Sequence, residues 1–358
     1  HDPYTTTVSS LATDPRMAEF AKLGRWNGWV MPYGPVSALL QWLFAAIPSP
    51  WVGAYLWKLL MAAAHVATAW FVFATLRTLG DERDARRGFV LWLWNPWLLL
   101  ESCGSGHNDA LQTLLLAMMC AALAQGRVAQ ATAGYGYSLL VKHGSAPLGP
   151  LLLGHAILTR RAKPFAVGVL VTLVAVLASW FVWFREPGAL DFLARQSAVD
   201  RASVSSFAAA LFGEAMRQPV QVFGLLLTLL VLAQGFLRAK DPTSIGRWSI
   251  LAMAVFVLVA VPNFAPWYHY WWLPLFALGQ LPVLARVIEL LAWVGPFSYL
   301  VWVTTRSLGI GHQAWQFLLA GLWPFLLLLL DWRSLAGMKK KSVASGDDEA
   351  VAEPAHKH

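Results

Sequence analysis

Long apolar runs alternate with short polar connections along almost the whole chain. The runs cover roughly 51–79, 89–102, 109–125, 128–142, 146–159, 164–184, 219–237, 248–262, 270–285, 288–304 and 314–330. Those at 165–184, 220–237 and 314–330 are almost wholly apolar and approach or reach the ~20 residues that cross a bilayer as a helix. Others are short. A helix over 89–102 would reach ~21 Å against a hydrocarbon core of ~30 Å. Such helices need polar extensions sheltered by protein or opening onto a water-filled cavity. The stretch 33–47 is amphipathic and flanked by Pro32, Pro35, Pro48 and Pro50. It reads as a helix lying on the outer surface, because a span there would invert every later loop. The pattern predicts an all-α, polytopic transmembrane bundle of about 11 spans. Its expected organisation is an outer segment with the surface helix over 1–50, the helical domain over 51–337, and a charged, disordered cytoplasmic tail over 338–358.

Composition agrees with this and removes other classes. Of 358 residues, 58% are hydrophobic and 13% charged, against roughly a quarter charged in soluble domains. Twenty Trp residues suit a protein with two membrane–water interfaces. A soluble enzyme, a nucleic-acid binder and a secreted disulfide scaffold are excluded, and the net charge of +8 reads as topology. Arg77, Arg83, Arg86 and Arg87, then Arg127, then Arg160, Arg161 and Lys163 mark one set of connections. Arg238, Lys240 and Arg247, then Arg286, then Arg333 with Lys339, Lys340 and Lys341 continue it. The alternate short connections hold only Arg306. The basic set is therefore cytoplasmic. The exception is the connection 185–217, which falls outside although it carries Arg185, Arg195, Arg201 and Arg217, accompanied by four acids. Neither Cys103 nor Cys120 has neighbours at metal-ligand spacing.

This topology gathers the chemistry on the outer face: Tyr33, Glu101, His107, Asn108, Asp109, Lys142, His143, Arg195, Arg201, Trp267, Tyr268 and His269. The membrane midplane is nearly free of ionisable groups, His65 being the main exception. That favours an outward-facing cavity over a transport path, which would place charges at mid-depth. In the cluster from Glu101 to Asp109 the glycines permit a tight turn, and the acids suit a divalent ion, Mg or Mn, with Asp109 as the candidate ligand. Helix capping by Asn108 or Asp109 accounts equally well for those two residues, but not for His107 or Glu101. Lys142 and His143 end a helix, where a cation complements the dipole. Lys142 also suits a lipid phosphate, with His143, Arg195 and Arg201 as further candidates. The run from Trp267 to Trp272 reads partly as an interfacial aromatic belt and partly, at Trp267, Tyr268 and His269, as a sugar or lipid pocket with Asn108 and Tyr33.

An ordered set of short motifs carries a resemblance. Asp2-Pro3-Tyr4, Met31-Pro32-Tyr33-Gly34-Pro35, Asn95-Pro96, Gly106-His107-Asn108-Asp109, Leu140-Val141-Lys142 and Pro266-Trp267-Tyr268 resemble bacterial GT-C superfamily glycosyltransferases. The nearest likeness is to polyprenyl-phosphate-mannose-dependent α-mannosyltransferases. The resemblance implies transfer of a hexose, mannose above all, from a polyprenyl-phosphate donor in the outer leaflet to an extracytoplasmic glycan or glycolipid, in the inner (plasma) membrane. It also implies a further transmembrane helix and an acidic motif before residue 1, making 12 spans with the general base upstream of His1.

The mechanism expected from the resemblance is inverting, by single displacement. A carboxylate takes the acceptor proton, and the leaving phosphate is stabilised by cations or a metal. Asp109, Glu101 and His107 are the catalytic candidates. A lipid-linked sugar flippase and a non-catalytic membrane subunit are the alternatives. No internal repeat or midplane charge cluster of the transporter kind is visible.

Overall fold

The computed structural model describes residues 3–15, 18, 28–183, 203–261, 265–279, 292, 295, 296, 299, 300 and 304. Every regular element among them is helical. A short helix α1 (Pro35–Ala45) precedes the long α2 (Pro50–Leu79). Proline opens both, where its missing N–H costs nothing, and the Ser49 side chain caps α2. At 30 residues, α2 is about 45 Å long at 1.5 Å per residue, enough to cross a bilayer.

The run expected over 89–102 is built differently. Helix α3 (Glu82–Leu93) starts earlier, capped by Asp81 accepting from the Asp84 N–H at 2.8 Å. It takes in Arg83, Arg86 and Arg87 and stops at Asn95-Pro96, because proline disfavours the helical conformation of the residue before it. The Asn95 side chain then caps the one-turn helix α4 (Pro96–Leu99), and a π-helical turn, Leu100–Gly104, holds Glu101. The short apolar run is thus two helices and a wide turn that bury Trp92, Trp97, Leu98 and Glu101 and leave Val90, Trp94 and Leu100 exposed.

Helices α5 (Asp109–Ala124) and α6 (Val128–Val141) form an antiparallel hairpin through Gly126, whose φ is 68°. Next come α7 (Gly149–Leu158), α8 (Ala162–Trp183), α9 (Val204–Phe212), α10 (Arg217–Phe236) and α11 (Pro242–Val255). A π-helical turn (Phe256–Ala260) extends α11. A 3-10 turn (Pro266–Trp271) and the short α12 (Leu275–Gly279) follow. Short loops between successive helices make neighbours antiparallel. The loops carrying Arg127 and Arg160 therefore lie at the opposite end of the bundle from those carrying His107 and Lys142.

The core joins α5, α11 and the aromatic segment, with Trp92, Trp97, Met119, Tyr270, Trp272 and Phe276 fully buried. Helix α8 presents an apolar surface, with Leu170, Val174 and Phe181 about 60% exposed. Exposed apolar surface on that scale suits hydrocarbon rather than water. Among the described residues four helices are long and apolar enough to cross a membrane: Pro50–Leu79, Ala162–Val182, Glu214–Phe236 and Pro242–Ala260. The spans expected at 288–304 and 314–330 and the tail lie outside the described residues, except for isolated positions. His65 is buried on α2, its Nε2 3.2 Å from the Leu93 carbonyl, where it ties α2 to the end of α3. Cys103 and Cys120 are free thiols.

Candidate active site

The motif residues converge at one end of the bundle because three chain reversals meet there. Gly106 adopts φ 72°, a conformation that costs a residue with a Cβ roughly 1–2 kcal/mol. Its carbonyl accepts the Trp57 indole N–H at 2.8 Å, pinning the turn to α2. That turn delivers Asp109 as the first residue of α5. Gly34 sits so close to the end of α6 that a Cβ would lie 2.2 Å from the Leu140 carbonyl oxygen. Its N–H donates to the Val141 carbonyl at 3.0 Å, and the Tyr4 hydroxyl donates to the Tyr33 carbonyl at 2.9 Å. These contacts dock α1 beside Lys142.

Asp109 and Lys142, 33 residues apart, form the centre. Lys142 Nζ donates to Asp109 Oδ1 at 2.8 Å and Oδ2 at 2.9 Å, and the Trp271 indole donates to Oδ1 at 2.6 Å. The aspartate side chain is 0% exposed and the lysine side chain 6%. Desolvating two charges costs several kcal/mol each unless the geometry is good. Here the ammonium also lies 5.3, 5.6 and 5.4 Å from the ring centres of Tyr33, Tyr268 and Trp271, within cation–π range. Burial pushes the Tyr268 hydroxyl up to about 12 although Lys142 opposes it, and Tyr33 is raised in the same way. Both phenols stay protonated. Gln112 completes the frame by donating to the Lys142 carbonyl at 2.8 Å and to Ser145 Oγ at 3.3 Å.

The two helix-terminus readings resolve through this pair. No side-chain cap bond forms at Asn108, and the Asp109 carboxylate is spent on Lys142 and Trp271. The lysine is likewise held inside. A Mg or Mn ion does not fit at Asp109, since both oxygens already accept N–H groups and a dication would face an ammonium. Among the described residues no group of three or more His, Cys, Asp or Glu is placed to hold a metal.

A second cluster faces outward. Glu101, 0% exposed, accepts the Tyr299 hydroxyl at 2.7 Å on Oε1, while Oε2 stands 3.5 Å from His107 Nε2. The His107 ring stacks on Trp267 with centroids 4.4 Å apart at 21°. Burial lowers the imidazole below its ordinary value, with nearby Asp109 acting in the opposite direction, so it is neutral at neutral pH. His107 and Asn108 border a cleft of about 900 Å³ enclosed by α1, the start of α2 and the segment before α1. The Asn108 amide donates to Ser37 Oγ at 3.1 Å, leaving its buried Oδ1 without a partner among the described residues.

The expected site residues therefore separate. The buried Asp109, Lys142 and Trp271, with the half-buried Tyr33 and Tyr268, form the cage. Tyr33 also borders the cleft with His107 and Asn108. His143 is exposed at the next position of the chain. His269 is fully buried, accepts the Trp272 indole N–H at 3.2 Å and belongs to the core. Arg195 and Arg201 lie outside the described residues. Sequence reasoning passed over Lys58, Gln41 and Asp14, all on the cleft lining. For Lys58 a signal exists: with Arg77 it is one of the two charged residues in α2, and a charge within an apolar span marks a functional position.

Two comparisons with known proteins bear on this geometry. Residues 1–156 match the family described as alpha-(1->6)-mannopyranosyltransferase, N-terminal domain, a region that holds α1 to α6, the cleft, Glu101, His107, Asp109 and Lys142. The chain is also 29% identical over 120 residues to GPI mannosyltransferase 1 of Trypanosoma brucei brucei. That match covers 33% of this chain and 27% of the relative, so it spans about a quarter of the relative's length. The N-terminal part of this helical membrane protein, which holds the clustered motif residues, is thus similar to mannosyltransferases over residues 1–156.

Proposed function

We propose that the protein transfers a hexose, mannose being the first candidate, from a polyprenyl-phosphate donor to a glycan or glycolipid acceptor. The Lys and Arg bias of the loops supports an extracytoplasmic site at the inner (plasma) membrane. The observation that carries the reading is the cleft bordered by His107 and Asn108 within the matched region. It has a neutral imidazole beside the buried Glu101 carboxyl, which burial pushes up to about 8, and aromatic walls suited to sugar C–H faces and isoprenoid chains.

The reaction is a single displacement with inversion. The acceptor hydroxyl oxygen attacks the anomeric carbon as the bond from that carbon to the phosphate oxygen breaks. The hydroxyl proton passes to the His107 imidazole, whose Nε2 stands 3.5 Å from Glu101 Oε2. The polyprenyl phosphate leaves with the bonding electron pair. The ion pair of Asp109 and Lys142 acts as a positioning element that holds Tyr268 and Trp271 beside His107 and its stacking partner Trp267. No metal takes part at Asp109 in this scheme.

Transfer of radiolabel from polyprenyl-phosphate-mannose to membrane glycolipid tests the reading, because a flippase moves the donor without forming a glycosidic bond. His107→Gln should lower turnover by about 10²-fold or more while the protein still inserts. Glu101→Gln should lower it less. Wild-type turnover in His107→Gln would remove His107 from the chemistry.

A further inference from the structure

The ion pair leaves a question about charge. A phosphate approaching the cleft needs a cation, and Lys142 is buried and neutralised by Asp109. Lys58 is placed differently. It is half-buried on α2 and borders the cleft. Among the described residues its ammonium makes no hydrogen bond or ion pair. Its stem is held by the glycine turn, where a Cβ on Gly106 would come within 3.1 Å of Lys58 Cγ.

Helix geometry puts Lys58 on a seam. Gly53, Ala54 and Trp57 line the cleft with it, at the offsets that share one helix face. On its other flank Tyr55 and Leu59 are 68% and 64% exposed. Across the cleft mouth Trp42 of α1 also lines the cavity while remaining 55% exposed. The exposed apolar strip therefore adjoins a largely apolar cleft, with the Lys58 ammonium at the junction. Asp14, the carboxylate on the lining, suits sugar hydroxyls rather than phosphate.

We infer that Lys58 is an anion-binding residue that receives the phosphate of an isoprenoid phosphate, whose chain lies in the bilayer along the exposed strip of α1 and α2. The lipid enters sideways, between those helices, and its headgroup turns into the cleft beside His107 and Asn108. The shape of the surface requires one molecule that is both a long apolar chain and an anion. Free phosphate would not use the strip, and a neutral lipid would not use the lysine. The inference rests on the proposed lipid-phosphate donor and names the residue that binds it.

The full chain in nanodiscs, titrated with farnesyl phosphate by calorimetry, tests this. Lys58→Gln should weaken binding at least about ten-fold, and Lys58→Arg should restore most of it. Farnesol and inorganic phosphate should each bind the wild type at least about ten-fold more weakly than farnesyl phosphate. Equal affinity of the wild type and Lys58→Gln would overturn the site. So would farnesol binding as well as farnesyl phosphate, or no binding to the wild type. Inorganic phosphate binding as tightly as the lipid would assign the lysine to a soluble anion and overturn the sideways entry. Lys58-dependent binding without any sugar transfer would sink the transferase reading alone. Transfer by Lys58→Gln with an unchanged donor KM would sink the lysine site alone.

Discussion

Breaking the ion pair of Asp109 and Lys142 is the most informative perturbation, because its cost can be worked from the geometry. Lys142→Met leaves the carboxylate fully buried with the Trp271 indole at 2.6 Å as its remaining hydrogen-bond donor. Losing one member of a buried pair costs about 3–5 kcal/mol, and the retained indole bond places this variant near the lower end. Asp109→Asn leaves an ammonium buried against a neutral amide and three aromatic rings, for a similar loss. In the double variant no unpaired charge remains. The Trp271 indole can still donate to the amide oxygen, and the residual cost is an unsatisfied amide N–H of about 1–3 kcal/mol. The single losses sum to roughly 6 kcal/mol, so the coupling energy is about 3 kcal/mol or more. Reversible unfolding in mixed micelles of rising SDS content, followed by helical circular dichroism, measures all four proteins. Single losses each under about 1 kcal/mol that simply add would show that the pair is not a structural strut.

Two further outcomes follow from the turn before α5. Gly106→Ala should destabilise by roughly 1–2 kcal/mol from backbone strain alone, and it should weaken farnesyl phosphate binding, because the new methyl group meets Lys58 Cγ. Unchanged unfolding and binding would contradict the positive φ. For pH, the lowered His107 value keeps the imidazole basic and neutral as pH falls past the usual histidine midpoint. The acid limb of the transfer rate should therefore lie below pH 6.5. A limb centred above that value would remove His107 as the proton acceptor.

Much of the fold was legible in the sequence. The 30-residue helix over Pro50–Leu79, the capped start at Ser49 and the helix opened by Pro35 are local matters, settled by hydropathy, proline and a few side-chain caps. The run over 89–102 reads as one short span because hydropathy reports burial and not what does the burying. Protein surrounds Trp92 and Trp97, both fully buried, where lipid had been expected. Glu101, His107, Asp109 and Lys142 stood out as polar residues in an apolar chain. Lys58 was absorbed into a long apolar run, since one lysine scarcely changes a window average.

The sequence by itself determined that this chain belongs in a membrane, that it is helical, and which short polar stretches interrupt its apolar runs. Hydrophobicity, helix termini and charge bias act over a few residues, so they can be read in order along the chain. Only the tertiary structure decided partners. It set Lys142 on Asp109 and stacked Trp267 on His107, and it left Lys58 at the seam between lipid-facing surface and cleft. Those pairings join residues far apart in the chain, and they depend on how closely glycine lets α1, α2 and the motif turn approach. Packing therefore determines whether a given charge is free to bind a ligand or is already neutralised inside the protein.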